Sequence, residues 1–117
     1  MTKLESLKKT SHFEKVLRNR IVNNDLFSIY CIKNFINKKS NGKKLYISFV
    51  MRKKVGNAVK RNRIKRKLIS VVKKLLKINS AINSDYTYII FGKSKVYNEH
   101  SGALLKKMQK SFKEIRS

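Results

Sequence analysis

The chain of 117 residues contains no proline, four glycines and one cysteine, and sets only six aspartates and glutamates against 30 lysines and arginines. With no proline, few glycines and no internal repeat, nothing marks a linker, so residues 1–117 read as a single domain. A domain of this length buries roughly two thirds of its unfolded surface, enough to fold without a disulfide or metal. Glycine motifs of the Walker or dinucleotide-binding kind are absent. The lone Cys31 excludes a disulfide framework and, in an alternating apolar stretch, reads as a small buried hydrophobe in a reducing cytoplasm. No two carboxylates fall in metal-binding spacing and no Cys/His cluster exists. General acid–base catalysis by the protein would rest on His12 and His100, its only histidines. Apolar runs such as LYISFVM are far too short to span a bilayer, and the N-terminus, with Glu5 and Glu14, lacks the apolar core of a signal peptide. The residues by themselves describe a binder and not a self-sufficient enzyme.

What is present in excess is positive charge, +24 in all. No acidic residue lies between Asp25 and Asp85, while seventeen lysines and arginines do. A field of this kind destabilises a compact state by self-repulsion and suits long-range attraction of a polyanion. Frequent lysine, asparagine and isoleucine fit an A/T-rich coding sequence, but that bias disfavours arginine. It does not account for four of the seven arginines lying between Arg52 and Arg66. A nucleic acid is the partner this cluster indicates. A polybasic membrane-surface protein shares the charge but has no need of the sheet described next.

The pattern SHFEKVLRN places Ser11 and Glu14 in capping-box spacing before a short helix with Phe13, Val16 and Leu17 on one face. LFSIYCIK then alternates, with Ser28 and Tyr30 on one side of a strand and Phe27, Ile29 and Cys31 on the other. LYISFVMR is a second strand, and the Asn-Gly turn between the two predicts an antiparallel hairpin. Asn57 is a good helix cap, and from Ile64 onward Leu68, Val71, Val72, Leu75 and Leu76 share one arc of a helix. Arg63, Arg66, Lys67, Lys73, Lys74 and Lys77 share the other arc. DYTYIIFG is a third strand, and Leu104, Met108, Phe112 and Ile115 mark a C-terminal helix. The order of elements predicts an α+β fold, a two-layer α/β sandwich.

Six cations fall within GNAVKRNRIKRKL, Gly56 to Leu68. Arg61 and Lys65 lie near the apolar arc in its first turns, so this end of the helix is expected to project beyond the sheet. Arg52, Lys53 and Lys54 end the preceding strand beside the helix N-terminus, where backbone N–H groups also favour anions. Arginine forks match phosphate oxygens, and binding that releases counterions weakens steeply with salt. Among the aromatics, most are core by default, and Tyr30 is the best candidate for stacking on an unpaired base because it shares a strand face with Ser28.

The stretch KKVGNAVKRNRIKRKL closely resembles the signature of the protein component of bacterial ribonuclease P, with Arg61, Asn62 and Arg63 as its Arg-Asn-Arg segment after a Gly-Asn-Ala turn. Phe13 and Val16 resemble the N-terminal Phe-x-x-Val segment of that family, and Phe27 and Tyr30 its first long strand, so the likeness runs across nearly the whole chain. The resemblance implies a four-stranded sheet with the basic helix in a left-handed crossover, against the usual hand, flanked by N- and C-terminal helices. It implies a partner RNA that carries the active site and its Mg²⁺ ions, with no cofactor held by the protein and no protein partner, acting in the bacterial cytoplasm. That RNA removes the 5′ leader of precursor tRNA. By position, Arg52, Lys53, Lys54, Asn57, Lys60, Arg61, Asn62, Arg63, Lys65, Arg66 and Lys67 would face the catalytic RNA, and Phe13, Leu17 and Tyr30 would line a cleft for the leader. The chain departs from the family pattern at Leu17, where a second aromatic is frequent, at Ile69, where a base is frequent, and near Asn19 and Arg20, where a glycine is usual. A ribosomal or other non-catalytic RNA-binding protein is the alternative on charge alone, and a nuclease using His12 and His100 a third.

Overall fold

The computed structural model describes residues 3–7, 9–33, 44–78, 82 and 85–116. Five strands form one mixed sheet: β1 (Lys3–Glu5), β2 (Arg20–Asn23), β3 (Phe27–Lys33), β4 (Lys44–Val50) and β5 (Tyr86–Gly92), in the order β1-β4-β5-β3-β2. Three helices accompany them, α1 (Thr10–Leu17), α2 (Ala58–Leu76) and α3 (Ser101–Arg116). The α+β class holds, with one strand more than the resemblance implies because β1 adds a parallel edge beside β4.

The expected β3–β4 hairpin does not form. β5 lies between the two, antiparallel to β3 and parallel to β4. The reason is burial: Thr87, Tyr88, Ile89 and Ile90 are all fully buried, so β5 carries apolar side chains on both faces and takes the central place. The Asn-Gly segment that suggested the hairpin lies outside the described residues. The antiparallel hairpin that does form joins β2 to β3. Its turn is made by Asn24, whose side-chain oxygen accepts from the N–H groups of Leu26 and Phe27, both at 2.9 Å.

One face of the sheet packs against α2 and α3. Phe27, Ile29 and Cys31 of β3, Tyr88 and Ile90 of β5, Ile64, Leu68, Val71, Val72 and Leu75 of α2, and Leu104, Met108 and Phe112 of α3 make one buried cluster. Burial pushes the Cys31 thiol up to about 11, so it is inert at neutral pH. α1 lies across part of the opposite face, where Val16 and Ile89 are buried outside that cluster. Leu7 N–H donates to Ser48 Oγ at 3.0 Å on the same side. The capping box expected at Ser11 is not used. α1 begins at Thr10 with Lys9 at the cap and no side-chain cap bond, so Ser11 falls inside the helix, and burial of Val16 fixes its position.

α2 approaches β5 closely at Gly92. A Cβ there would lie 2.8 Å from Leu68 Cδ1 and 2.9 Å from Ile64 Cγ2, both on fully buried side chains. Gly92→Ala is expected to cost about 1–3 kcal/mol by overpacking, read as a lower denaturant midpoint with an unchanged slope. Gly102→Ala, at an open position in α3 with nothing within 4 Å, is expected to raise stability by up to about 1 kcal/mol.

Candidate nucleic-acid interface

β4 ends in a 3-10 turn over Lys53–Val55, and Gly56, at φ 155°, redirects the chain into α2. A side chain at Gly56 would also meet Lys60 Cδ at 2.6 Å. Asn57 caps α2, its side-chain oxygen accepting from Lys60 N–H at 2.9 Å. With Ile64 and Leu68 anchored in the core, the pitch of the helix leaves Asn62, Arg63, Lys65 and Arg66 exposed, with Lys60 and Arg61 half-buried. Lys73, Lys74 and Lys77 extend the exposed stripe. Among the described residues none of these cations meets a carboxylate in an ion pair, whereas Asp25 pairs with Lys95 and Lys107. Arg61 Nε is shielded from solvent and has no hydrogen-bond partner among the described residues, which leaves a desolvated donor on the signature itself.

A groove of about 490 Å³ opens on the sheet face that α1 partly covers, at the end of β5. Arg20, Arg52, Lys54 and Lys93 supply its charge, and Tyr30 and Phe91 its aromatic surface. The register explains the pair: Ser28 is opposite Phe91 and Tyr30 opposite Ile89, so all four project on the same side of the β3–β5 ladder. Tyr30 meets Phe91 edge-on at 5.3 Å between centroids, and the Arg52 guanidinium lies 5.3 Å from the Phe91 centroid. The polar wall is held by Asn23, whose side-chain oxygen accepts from Ser28 Oγ and from Lys93 Nζ, each at 2.7 Å.

The structure thus gathers most of the expected residues into two adjoining surfaces, though not along the expected division, and leaves Phe13, Leu17 and Lys67 out of both. Arg52 and Lys54, expected on the helix side, line the groove with Tyr30. Lys53 is exposed on the turn between them and the helix. Phe13 and Leu17 are half-buried on α1 and are not among the residues lining the groove. Lys67 stands apart from the other helix cations, since its ammonium donates to the carbonyls of Val96, Tyr97 and Glu99 at 3.1, 2.8 and 2.9 Å. His12 lies on α1 and His100 immediately precedes α3, and these two helices pack against opposite faces of the sheet. Among the described residues no group of three His, Cys, Asp or Glu is placed to hold a metal ion, and no helix is long and apolar enough to cross a membrane.

Arg20, Phe91 and Lys93 were not foreseen. Arg20 lies on β2, whose signal was the short apolar pair Ile21–Val22 followed by the turn-forming Asn-Asn-Asp. Phe91 could be placed beside Tyr30 only once β3 and β5 were known to pair.

A family model described as Ribonuclease P matches residues 1–116. No curated protein matches the chain. Among solved structures the chain is similar to the RNase P protein of Staphylococcus aureus, with a TM-score of 0.68 and 25% identity over 95% of this chain and 94% of that one. It is similar in fold to the RNase P protein from Thermotoga maritima, with a TM-score of 0.73 at 17% identity over 97% and 99% of the two chains. A mutant of the Staphylococcus aureus protein with defective mRNA degradation activity also matches, with a TM-score of 0.65 and 25% identity over 95% and 86%.

The rim of the groove is tied to the rest of the fold by Asp25 in the β2–β3 turn, which accepts from Lys95 Nζ at 2.6 Å and lies 3.9 Å from Lys107 Nζ. The hydrogen bond from Lys95 holds the Asp25 carboxyl below its ordinary value, while Asp25 in turn raises Lys95. A carboxyl depressed in the folded state stabilises above its unfolded pKa, near 3.9, and that contribution is lost as pH falls through the folded value. The melting temperature of Asp25→Asn should therefore lie below that of the wild type by a constant margin above about pH 5, with the margin shrinking below about pH 4. A margin undiminished at pH 2 would contradict this.

Proposed function

Because the chain belongs to the Ribonuclease P family, we propose that it is the protein subunit of a bacterial ribonuclease P, acting in the cytoplasm to promote removal of the 5′ leader from precursor tRNA. In this reading the active site and its Mg²⁺ ions belong to the RNA partner. The first turns of α2 contact that RNA, and the groove at the end of β5 holds the leader. The observation that carries it is the junction of the two surfaces: cations on the signature helix that form no ion pair among the described residues run directly into a cationic groove floored by Tyr30 and Phe91. Cations on a helix face suit the regular phosphates of a folded RNA. Aromatic rings recessed among cations suit a single strand, where stacking supplies about 1–3 kcal/mol per base and tolerates many sequences. The protein's contribution is electrostatic and positional.

Purified protein, a bacterial ribonuclease P RNA and labelled precursor tRNA should be combined at low magnesium, with each component omitted in turn. Leader release that requires the RNA and is strongly promoted by the protein supports the subunit role. No stimulation across several RNA types would leave a general RNA-binding protein. Cleavage by the protein alone would move the chemistry onto its own residues, with loss on substituting His12 and His100 as the check. Arg63→Ala is expected to weaken assembly with the RNA and reduce the salt slope by about one phosphate contact. Tyr30→Ala should weaken binding of precursor tRNA over mature tRNA and leave assembly largely intact.

A further inference from the structure

Tyr97 lies on the 3-10 turn Ser94–Asn98, between β5 and α3, beside the signature helix. Its ring gathers two of that helix's cations. Lys60 Nζ is 5.3 Å and Arg63 Cζ 5.6 Å from the ring centroid, and Arg63 Nη1 donates to Tyr97 Oη at 3.4 Å. Lys60 is held a second time, its ammonium donating to Ser94 Oγ at 2.9 Å. The ring in turn is fixed from below. All three hydrogens of the Lys67 ammonium have acceptors in the carbonyls of Val96, Tyr97 and Glu99, and Val96 is fully buried. Lys60, Arg63 and Lys67 follow one another at i, i+3 and i+7, so one face of α2 carries both the lock on the turn and the two cations the turn receives.

We infer that Tyr97 is a positioning residue for RNA binding: its ring holds Lys60 and Arg63 side by side, one helical turn apart, ready for phosphate oxygens. This rests on the subunit role proposed above. Two cations brought close together repel, and long side chains free in solvent lose rotamer freedom when they bind. A negative ring face within reach of both offsets the first effect and removes part of the second before the RNA arrives. Because Lys67 is committed to the turn, its charge serves to place the other two.

The test compares Tyr97→Leu, which removes the ring's charge distribution, with Tyr97→Phe, which keeps it, by titration against ribonuclease P RNA and against an unrelated structured RNA. Tyr97→Leu should bind ribonuclease P RNA about 5- to 20-fold more weakly, because Lys60 and Arg63 then lose their rotamer freedom on binding and not before it, and Tyr97→Phe should restore most of the affinity. In a Lys60→Gln/Arg63→Gln background the leucine change should cost nothing further. Wild-type affinity in Tyr97→Leu overturns the inference. So does a full-sized loss that persists in the double-glutamine background, since the ring would then be touching RNA itself. If the wild type binds both RNAs equally, the subunit role fails, and the same comparison of variants on either RNA still decides the part played by Tyr97. Proton NMR of the unmodified protein gives a readout that needs no variant to fold: the Lys60 and Arg63 side-chain protons should be shifted upfield by the ring current, and random-coil positions would contradict the contact.

Discussion

The apolar stripe of α2 is buried against the sheet and meets β5 closely at Gly92. Ile64 and Leu68 sit where a Cβ on Gly92 would go, and this close approach fixes both the height and the rotation of the helix. Rotation matters most. With Ile64, Leu68, Val71, Val72 and Leu75 directed inward, a helix of this pitch must present its arginines and lysines outward. A chain carrying +24 has few carboxylates with which to neutralise itself, so stability has to come from such burial and the repulsion is left for a partner to relieve. The same helix links β4 to β5 in parallel, and that connection brings Arg52 and Lys54 at the end of β4 beside Phe91 at the end of β5.

Much of this was legible from periodicity. The two faces of α2, the core face of β3 and the apolar stripe of α3 fall where the spacing of apolar residues put them, because those patterns reflect burial directly. Sheet order did not follow. An Asn-Gly turn favours a hairpin locally, but the unbroken buried run of Thr87 to Ile90, apolar from Tyr88 onward, requires cover on both faces, and the global demand displaced the local one. That run was itself a readable sign of a central strand. The strand Lys3–Glu5 has too few residues for a period to show, and Ser11 lost its capping role because helix position is set by the burial of Val16.

The candidate site divides in the same way. Residues within the signature could be assigned to one surface because a single helix carries them. The groove depends on residues from β2, β3 and β5 that come together only through pairing, and Tyr30 alone among its aromatics was singled out beforehand. Lys67 shows the limit of reading charge from a helical arc: on the sequence it is another cation of the stripe, and in the fold its ammonium is taken up by three carbonyls. The turn it holds connects the two surfaces, since Ser94 both lines the groove and receives Lys60.

A direct test of the division between helix and groove is site-specific cross-linking. Cys31 is 4% exposed with its thiol pushed up to about 11, so a photoreactive probe can be placed on a single introduced cysteine without removing it. One probe belongs on the outer face of α2, through Arg66→Cys, and one at the groove, through Arg20→Cys. In the assembled complex with ribonuclease P RNA and precursor tRNA, the helix probe should label the catalytic RNA whether or not substrate is present, and the groove probe should label the 5′ leader. Labelling of the same RNA by both probes would contradict the account.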